Sequence, residues 1–262
     1  MQKLGIDVSR WQGNFNFAKA KSEGVTFAII KGGGGDDGLY VDSKFATNYK
    51  NAKAVGLDVG CYWFSKALTL NDAKKEAEYF YNNVLKGKQF ELPIYIDVEH
   101  KSQLALGKTA LTNIIKTWCS ELEKKGYFVG IYSSLSYFKT YMNDSELQCY
   151  AHWVAQWAKS CTYTPKSCLG LWQFGGETNV IRSNKIAGVV CDQNYLLTDY
   201  KKIITENGLN GYSVKNEKTI GEYIAVLNKA GIITNVPLWN EKAEKDNSVY
   251  WLIRKTAEYI DK

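Results

Sequence analysis

The sequence predicts an α/β fold: a closed barrel of eight strands whose last three are poorly covered by helices, followed by a small, mainly α-helical C-terminal domain. Three observations predict it. From residue 1 to about 200, strand-like and helix-like runs alternate, the signature of βαβ units and a parallel sheet. The strand-like runs number eight, enough to close a barrel. After Tyr200 the composition shifts to glycine and asparagine in "ITENGLNGYSVKN" and then to helical spacing. The 262 residues suffice for one such barrel and one small domain.

The elements follow in order. "KLGIDVS" reads as a strand, and 15–23 as a helix. "TFAIIKGGGG" is a strand, followed by a helix across "SKFATNYKNAKAVG". "LDVGCYWFS" is a strand, and Asn71 is the expected N-cap of a helix through "DAKKEAEYFYNNVL". "ELPIYIDVE" is a strand, then Ile114, Ile115, Trp118 and Leu122 form one stripe of a helix over 108–125. "FVGIYSS" precedes a short helix near 135–142. "CYAHWVAQW", "LGLWQFGG" and "VVCDQNYL" are strands separated by irregular segments. The expected boundaries are a barrel over 1–203, a linker over 204–216 and a helical domain over 217–262. In that domain Ile220, Tyr223, Ile224 and Leu227 recur at helical spacing, and Trp251, Ile253 and Tyr259 belong to a last helix. Trp239 and Tyr250 could stack on a ligand or serve as core, and Trp251 reads as core. So short a segment buries little core alone, so docking or homo-oligomerisation through it is expected.

Hydrophobic residues make up 45% of the chain, which excludes a disordered class. The 18 tyrosines and 8 tryptophans exceed what a core needs and offer flat apolar faces with a polar edge. The net charge of +6 is interspersed without a basic run, so no nucleic-acid partner is expected. "MQKLGIDVSRW" lacks the apolar region of a secretory signal, and no apolar run reaches membrane-spanning length. Synthesis in the cytoplasm without a signal peptide, and no membrane insertion, are therefore expected. The six cysteines lack metal-ligand spacing and read as free thiols, with a Cys161–Cys168 disulfide as the alternative.

Chemistry concentrates at strand ends. In "ELPIYIDVEH", Asp97 and Glu99 are two residues apart, so they share one face of a strand. Adjacent carboxylates repel, and a chain selected for stability alone would avoid them. Asp7 closes the first strand and Asp192 lies in the eighth; in a closed barrel these strands are neighbours, so four carboxylates converge on one mouth. Metal-assisted hydrolysis would recruit histidines, and the chain has only His100 and His152, in no ligand pair. No metal or cofactor is expected. Glycoside hydrolysis uses such a cluster directly: one carboxylic acid protonates the leaving oxygen while a second carboxylate supports the oxocarbenium-like centre. Tyr62, Trp63, Tyr132, Trp153, Trp157 and Trp172, in or near strand ends, suit sugar binding.

"GIDVSRWQG", "PIYIDVE", "WVAQW", "LWQF" and "CDQN", in this order, resemble glycoside hydrolase family 25, the Chalaropsis-type N-acetylmuramidases common among bacteriophage endolysins. The resemblance covers about residues 3 to 200 and implies an irregular TIM-like (β/α)5(β)3 barrel. It implies Glu99 as general acid and Asp97 as its partner, stabilising or orienting a substrate acetamido group. Asp7 and Asp192 would be supporting carboxylates, and Tyr62, Tyr132, Trp153, Gln156 and Trp172 sugar contacts. The implied partner is bacterial peptidoglycan, cut with retention between N-acetylmuramic acid and N-acetylglucosamine, the enzyme reaching the wall after release from the host. One departure is Gly34 in "KGGGGDDG", where the family carries an acid or amide. The alternative function is a catalytically silent wall-binding barrel. Chitinases are excluded, because Tyr95 stands where their longer acidic ladder begins.

Overall fold

The computed structural model describes residues 2–36, 38–213 and 219–260, the side chains of Asn247, Trp251 and Glu258 excepted. The chain divides into two compact units, Met1–Ser213 and Val214–Lys262.

In the first unit the order is β1 (Lys3–Val8), α1 (Phe17–Ser22), β2 (Val25–Gly34), β3 (Tyr40–Val41), α2 (Phe45–Ala54), β4 (Asp58–Phe64), α3 (Leu70–Phe80) and β5 (Ile94–Asp97). Then come α4 (Lys101–Leu104), α5 (Lys108–Glu123), β6 (Val129–Ser134), α6 (Leu135–Tyr141), β7 (Ala151–Ala155) and β8 (Leu169–Gly175). A small ribbon, β9 (Lys185–Ile186) and β10 (Val189–Val190), precedes β11 (Asp192–Leu196) and α7 (Tyr200–Glu206). The barrel runs β1–β11–β8–β7–β6–β5–β4–β2 and closes through β1 against β2. Helices follow the first five barrel strands and not β7 or β8, so the five-plus-three arrangement expected from sequence is present.

The expected parallel sheet holds except at one strand: β11 is antiparallel to both β8 and β1. The reason lies in the connection. A helix crossing the barrel's outside returns the chain to the bottom, but residues 176–191 form only a short ribbon. The chain therefore re-enters at the mouth and runs down. Asp192, the first residue of β11, thereby meets Asp7 near the end of β1.

Side chains alternate across the barrel wall. Phe27, Ile29, Tyr95, Trp153 and Leu171 fill the inside, and Ala28, Ile30, Ile94, Ile96 and Val154 join the helices in the outer core. Gly130 makes room inside: a Cβ there would lie 2.4 Å from the Tyr95 ring. On α5 the expected stripe of Ile114, Ile115, Trp118 and Leu122 is buried, each side chain contributing about 1.5–3 kcal/mol. The N-cap of α3 is Thr69 rather than Asn71. Thr69 accepts from Asp72 N, and the Asp72 carboxylate accepts from Thr69 N; Asn71, one turn position in, cannot make this reciprocal pair. The glycine run after β2 reflects close packing, since a Cβ on Gly33 would lie 2.0 Å from Tyr40 O, where β3 folds back. All six cysteines are free.

The expected linker from 204 is corrected as far as 213. Asn210 is fully buried at the barrel bottom, where its side chain and its backbone make two bonds each, an anchoring that glycine-rich composition conceals. Asn210 N donates to Gly126 O (3.0 Å), its Oδ1 accepts from Phe128 N (2.7 Å), its Nδ2 donates to Leu92 O (2.9 Å), and its carbonyl accepts from Phe90 N (3.1 Å). Tyr212 donates to Glu91, which also pairs with Lys53. The remainder of that stretch, 214–216, lies outside the described residues.

The second unit holds α8 (Ile220–Lys229), α9 (Val236–Lys245) and α10 (Asn247–Ile260). Thr219 and Glu222 form a capping box at the start of α8. Tyr223, Ile224, Leu227, Ile233, Ala243, Ile253 and Ala257 form its core, with Trp239 and Tyr250 partly buried against it. Trp251, expected as core, has a side chain outside those described.

Candidate active site

The mouth lies at the C-terminal ends of the parallel strands. β5 ends at Asp97, with β4 and β6 as neighbours, and the ladder continues one step as Val98 N donates to Tyr132 O (3.0 Å). Inward parity on this strand runs Tyr95, Asp97, Glu99, so the wall that packs Tyr95 inside also delivers both carboxylates to the mouth. Asp97 is buried and Glu99 is exposed to solvent.

Burial pushes the Asp97 carboxyl far above the ordinary aspartate value; the Glu99 charge adds to this and the Lys31 ammonium opposes it. Asp97 Oδ1 is buried without a hydrogen-bond partner among the described protein groups. The surrounding protein also raises Glu99, and Lys31 again opposes.

Asp7 and Asp192 form the other half of the ring, as Cα register partners on neighbouring strands. Asp7 Oδ2 accepts from Asn194 Nδ2 (2.8 Å) and Gln173 Nε2 (3.1 Å). Burial raises Asp7 to about 6 against these donors. Asp192, half-buried, is raised to about 8 by desolvation and then by the charges of Asp7 and Glu99. Held this close, the two acids ionise one after the other rather than together.

Beneath the carboxylates lies an aromatic floor. The Trp153 ring sits 4.4 Å from Tyr132, 5.2 Å from Tyr95 and 5.9 Å from Tyr62 between centroids. Tyr62 and Tyr132 are half-buried and face the carboxylates, whose charges act on both phenols. The expected sugar contacts separate here. Tyr62 and Tyr132 border the mouth. Trp153 is buried and donates Nε1–H to Asn194 Oδ1 (2.7 Å), a supporting position. Trp172 has outward parity and belongs to the outer core with Phe174 and Tyr195; its indole N–H donates to Gln156 O (2.8 Å). The Gln156 side chain is engaged by Thr162, its Oε1 accepting from Thr162 N (2.8 Å). Neither Trp172 nor Gln156 presents its side chain to the mouth, because strand parity turns the first outward and the 156–162 turn claims the second.

His100 caps α4, accepting from Ser102 N, and His152 bonds Asp144 and Tyr150 O outside the barrel. Sequence reasoning missed Lys31, Gln173 and Asn194. The signal was available: each is polar at an inward parity position, after Phe27 and Ile29, after Leu171, and between Asp192 and Leu196.

With this geometry established, comparison with known proteins is informative. Residues 6–182 match the model of glycosyl hydrolases family 25. Lysozyme M1 of Streptomyces globisporus is 29% identical over 201 residues, covering 70% of this chain and 67% of that protein. The autolytic lysozyme of Clostridium acetobutylicum is 31% identical over 181 residues, 68% of this chain but only 52% of the relative, so the chain spans about half of that protein's length. A crystal structure of a bacterial lysozyme from Streptomyces coelicolor superposes with a TM-score of 0.63 at 27% identity, covering 76% of this chain and 93% of that one.

Proposed function

The chain belongs to glycosyl hydrolase family 25, and from that premise we propose that it is a lysozyme-type muramidase, cutting the β-1,4 bond between N-acetylmuramic acid and N-acetylglucosamine in peptidoglycan. The observation that carries this reading is the pairing of a solvent-exposed Glu99 with a buried Asp97 whose Oδ1 lacks a hydrogen-bond partner among the described protein groups. Glu99 donates its proton to the glycosidic oxygen as the bond to C1 breaks. The carbonyl oxygen of the 2-acetamido group attacks C1, and Asp97 Oδ1 accepts that group's N–H, which orients it and stabilises the positive charge. Glu99, now a carboxylate, takes a proton from the water that opens the ring intermediate, and the two displacements give net retention. Asp7 and Asp192 line the same mouth as supporting carboxylates, with Tyr62 and Tyr132 beneath the sugar. The relatives named lysozymes support the wall as substrate.

The helical unit fits a wall-targeting or assembly role, since its small core leaves Leu252 and Tyr259 exposed.

Reducing-end analysis of digested peptidoglycan tests the assignment. New muramic-acid ends are expected. New glucosamine ends would reassign the bond, and wall binding without release would leave the silent wall-binding barrel.

A further inference from the structure

Gln173 is almost fully buried on β8, yet its side chain faces the mouth and every polar site on it is oriented. Its Oε1 accepts from Tyr132 OH (3.1 Å) and from Trp157 Nε1 (3.1 Å). Its Nε2 donates to Asp7 Oδ2 (3.1 Å). The amide cannot turn over: a flip would set its N–H bonds against two donors and its oxygen against a carboxylate. Trp157 lies just beyond β7 and is 43% exposed, with its one polar atom committed to Gln173. What it offers to solvent is ring face. Gly176 allows this arrangement, because a Cβ there would lie 1.9 Å from Asp192 Oδ1 and 2.7 Å from the Trp157 ring.

We propose that Gln173 is a positioning residue: it holds the Asp7 carboxylate in place beside Asp192 and ties that carboxylate to a sugar-stacking platform on Trp157. The inference rests on the muramidase reading for its substrate. A pyranose ring on Trp157 fixes the indole, the indole and Tyr132 fix the Gln173 amide, and the amide fixes the charge on Asp7. The groups facing Asp7 are Asp192 from β11 and Cys191 just before it, Asp97 and Glu99 at the end of β5, Tyr62 from β4 and Tyr132 from β6. Lys31 from β2 acts on Asp97 and Glu99. Among the described residues, the Gln173 and Asn194 amides are the groups that donate to the Asp7 carboxylate.

The test has two readouts that need no turnover. The Asp7 carboxyl is titrated by carbon-13 NMR, its signal identified by its loss in Asp7→Asn. Gln173→Met, similar in size but with no donor, is expected to raise the Asp7 midpoint by about one pH unit. Trp157→Phe keeps the stacking face and loses the N–H, so it shifts the midpoint the same way by less. Binding of tetra-N-acetylchitotetraose is then measured in a Glu99→Gln background, where Trp157→Ala is expected to weaken it roughly tenfold and Trp157→Phe less than about twofold. An unmoved Asp7 midpoint in folded Gln173→Met, or in Trp157→Phe should the first variant not fold, overturns the positioning role. Unchanged oligosaccharide binding in Trp157→Ala overturns the platform. Absence of peptidoglycan cleavage by the parent protein would sink the muramidase reading alone, because both readouts still decide this one.

Discussion

Asp7 and Asp192 are register partners on antiparallel strands, so their carboxyls stand side by side at the barrel mouth. Two acids held this close cannot both ionise cheaply. Their folded values, about 6 and about 8, stand above the ordinary aspartate value of 3.8. In the interval between, the folded state holds protons that the unfolded state has released, so stability falls as pH rises. The burden is absent below about pH 4 and complete above pH 8. Asp192→Asn removes the share of it that Asp192 carries. Melting temperature should therefore rise in the variant at pH 8, by roughly 2–4 °C for each kcal/mol relieved, and match the parent at pH 4. An equal shift at both pH values would show that the pair is not responsible.

Glu99→Gln retains the shape of the side chain and removes the transferable proton. Wall lysis should drop by about 10²-fold or more. Asp97→Asn should be severely impaired as well, since its amide can no longer accept with both oxygens. Mass spectrometry decides Asp97's part: no sugar ester on Asp97 is expected if the acetamido group attacks C1, and trapping one would make Asp97 the nucleophile. Near-parental lysis by a folded Glu99→Gln protein would remove Glu99 from the mechanism.

Much of this site was legible because strands alternate faces. Once "PIYIDVE" reads as a strand, Tyr95, Asp97 and Glu99 must share a side, and barrel closure brings Asp7 and Asp192 together. The same rule, applied to "LWQF", turns Trp172 outward and Gln173 inward, so aromatic character alone misled at that position. The antiparallel course of β11 was not legible, since it depends on a connection staying at the mouth. Nor was the anchoring of Asn210: in sequence, asparagine beside glycine signals a turn, and only the packed barrel supplies its four partners.

Lys31 is the cation that acts on both Asp97 and Glu99. Its ammonium lies 4.7 Å from the Phe64 ring centroid and favours the ionised form of both acids. Lys31→Met should raise both carboxyls. If the reaction needs Asp97 ionised and Glu99 protonated, both limbs of the pH–activity profile move to higher pH together. A profile that loses height without moving would mean that Lys31 only contacts substrate.

The position of Asn210 changes where the chain can be cut. A protein ending at Asn207 loses Asn210 and Tyr212, and with them the bonds to Phe90, Leu92, Gly126 and Phe128 at the barrel bottom. It also leaves Glu91, buried and paired with Lys53, without its tyrosine donor. Each lost partner of a buried group costs about 1–3 kcal/mol, so with these bonds gone this protein should melt at least about 10 °C below one ending at Ser213. The protein ending at Ser213 keeps every contact of the first unit and should cleave soluble wall fragments at close to the full-chain rate. Against intact cells it should be slower, because a second binding unit raises effective concentration at a surface. Light scattering adds the remaining distinction. If removal of residues 214–262 converts a dimer to a monomer and leaves lysis of intact cells unchanged, the helical unit assembles the protein and does not target it. Equal melting of the two truncated proteins would instead mean that the Asn210 and Tyr212 bonds add nothing to the barrel's stability.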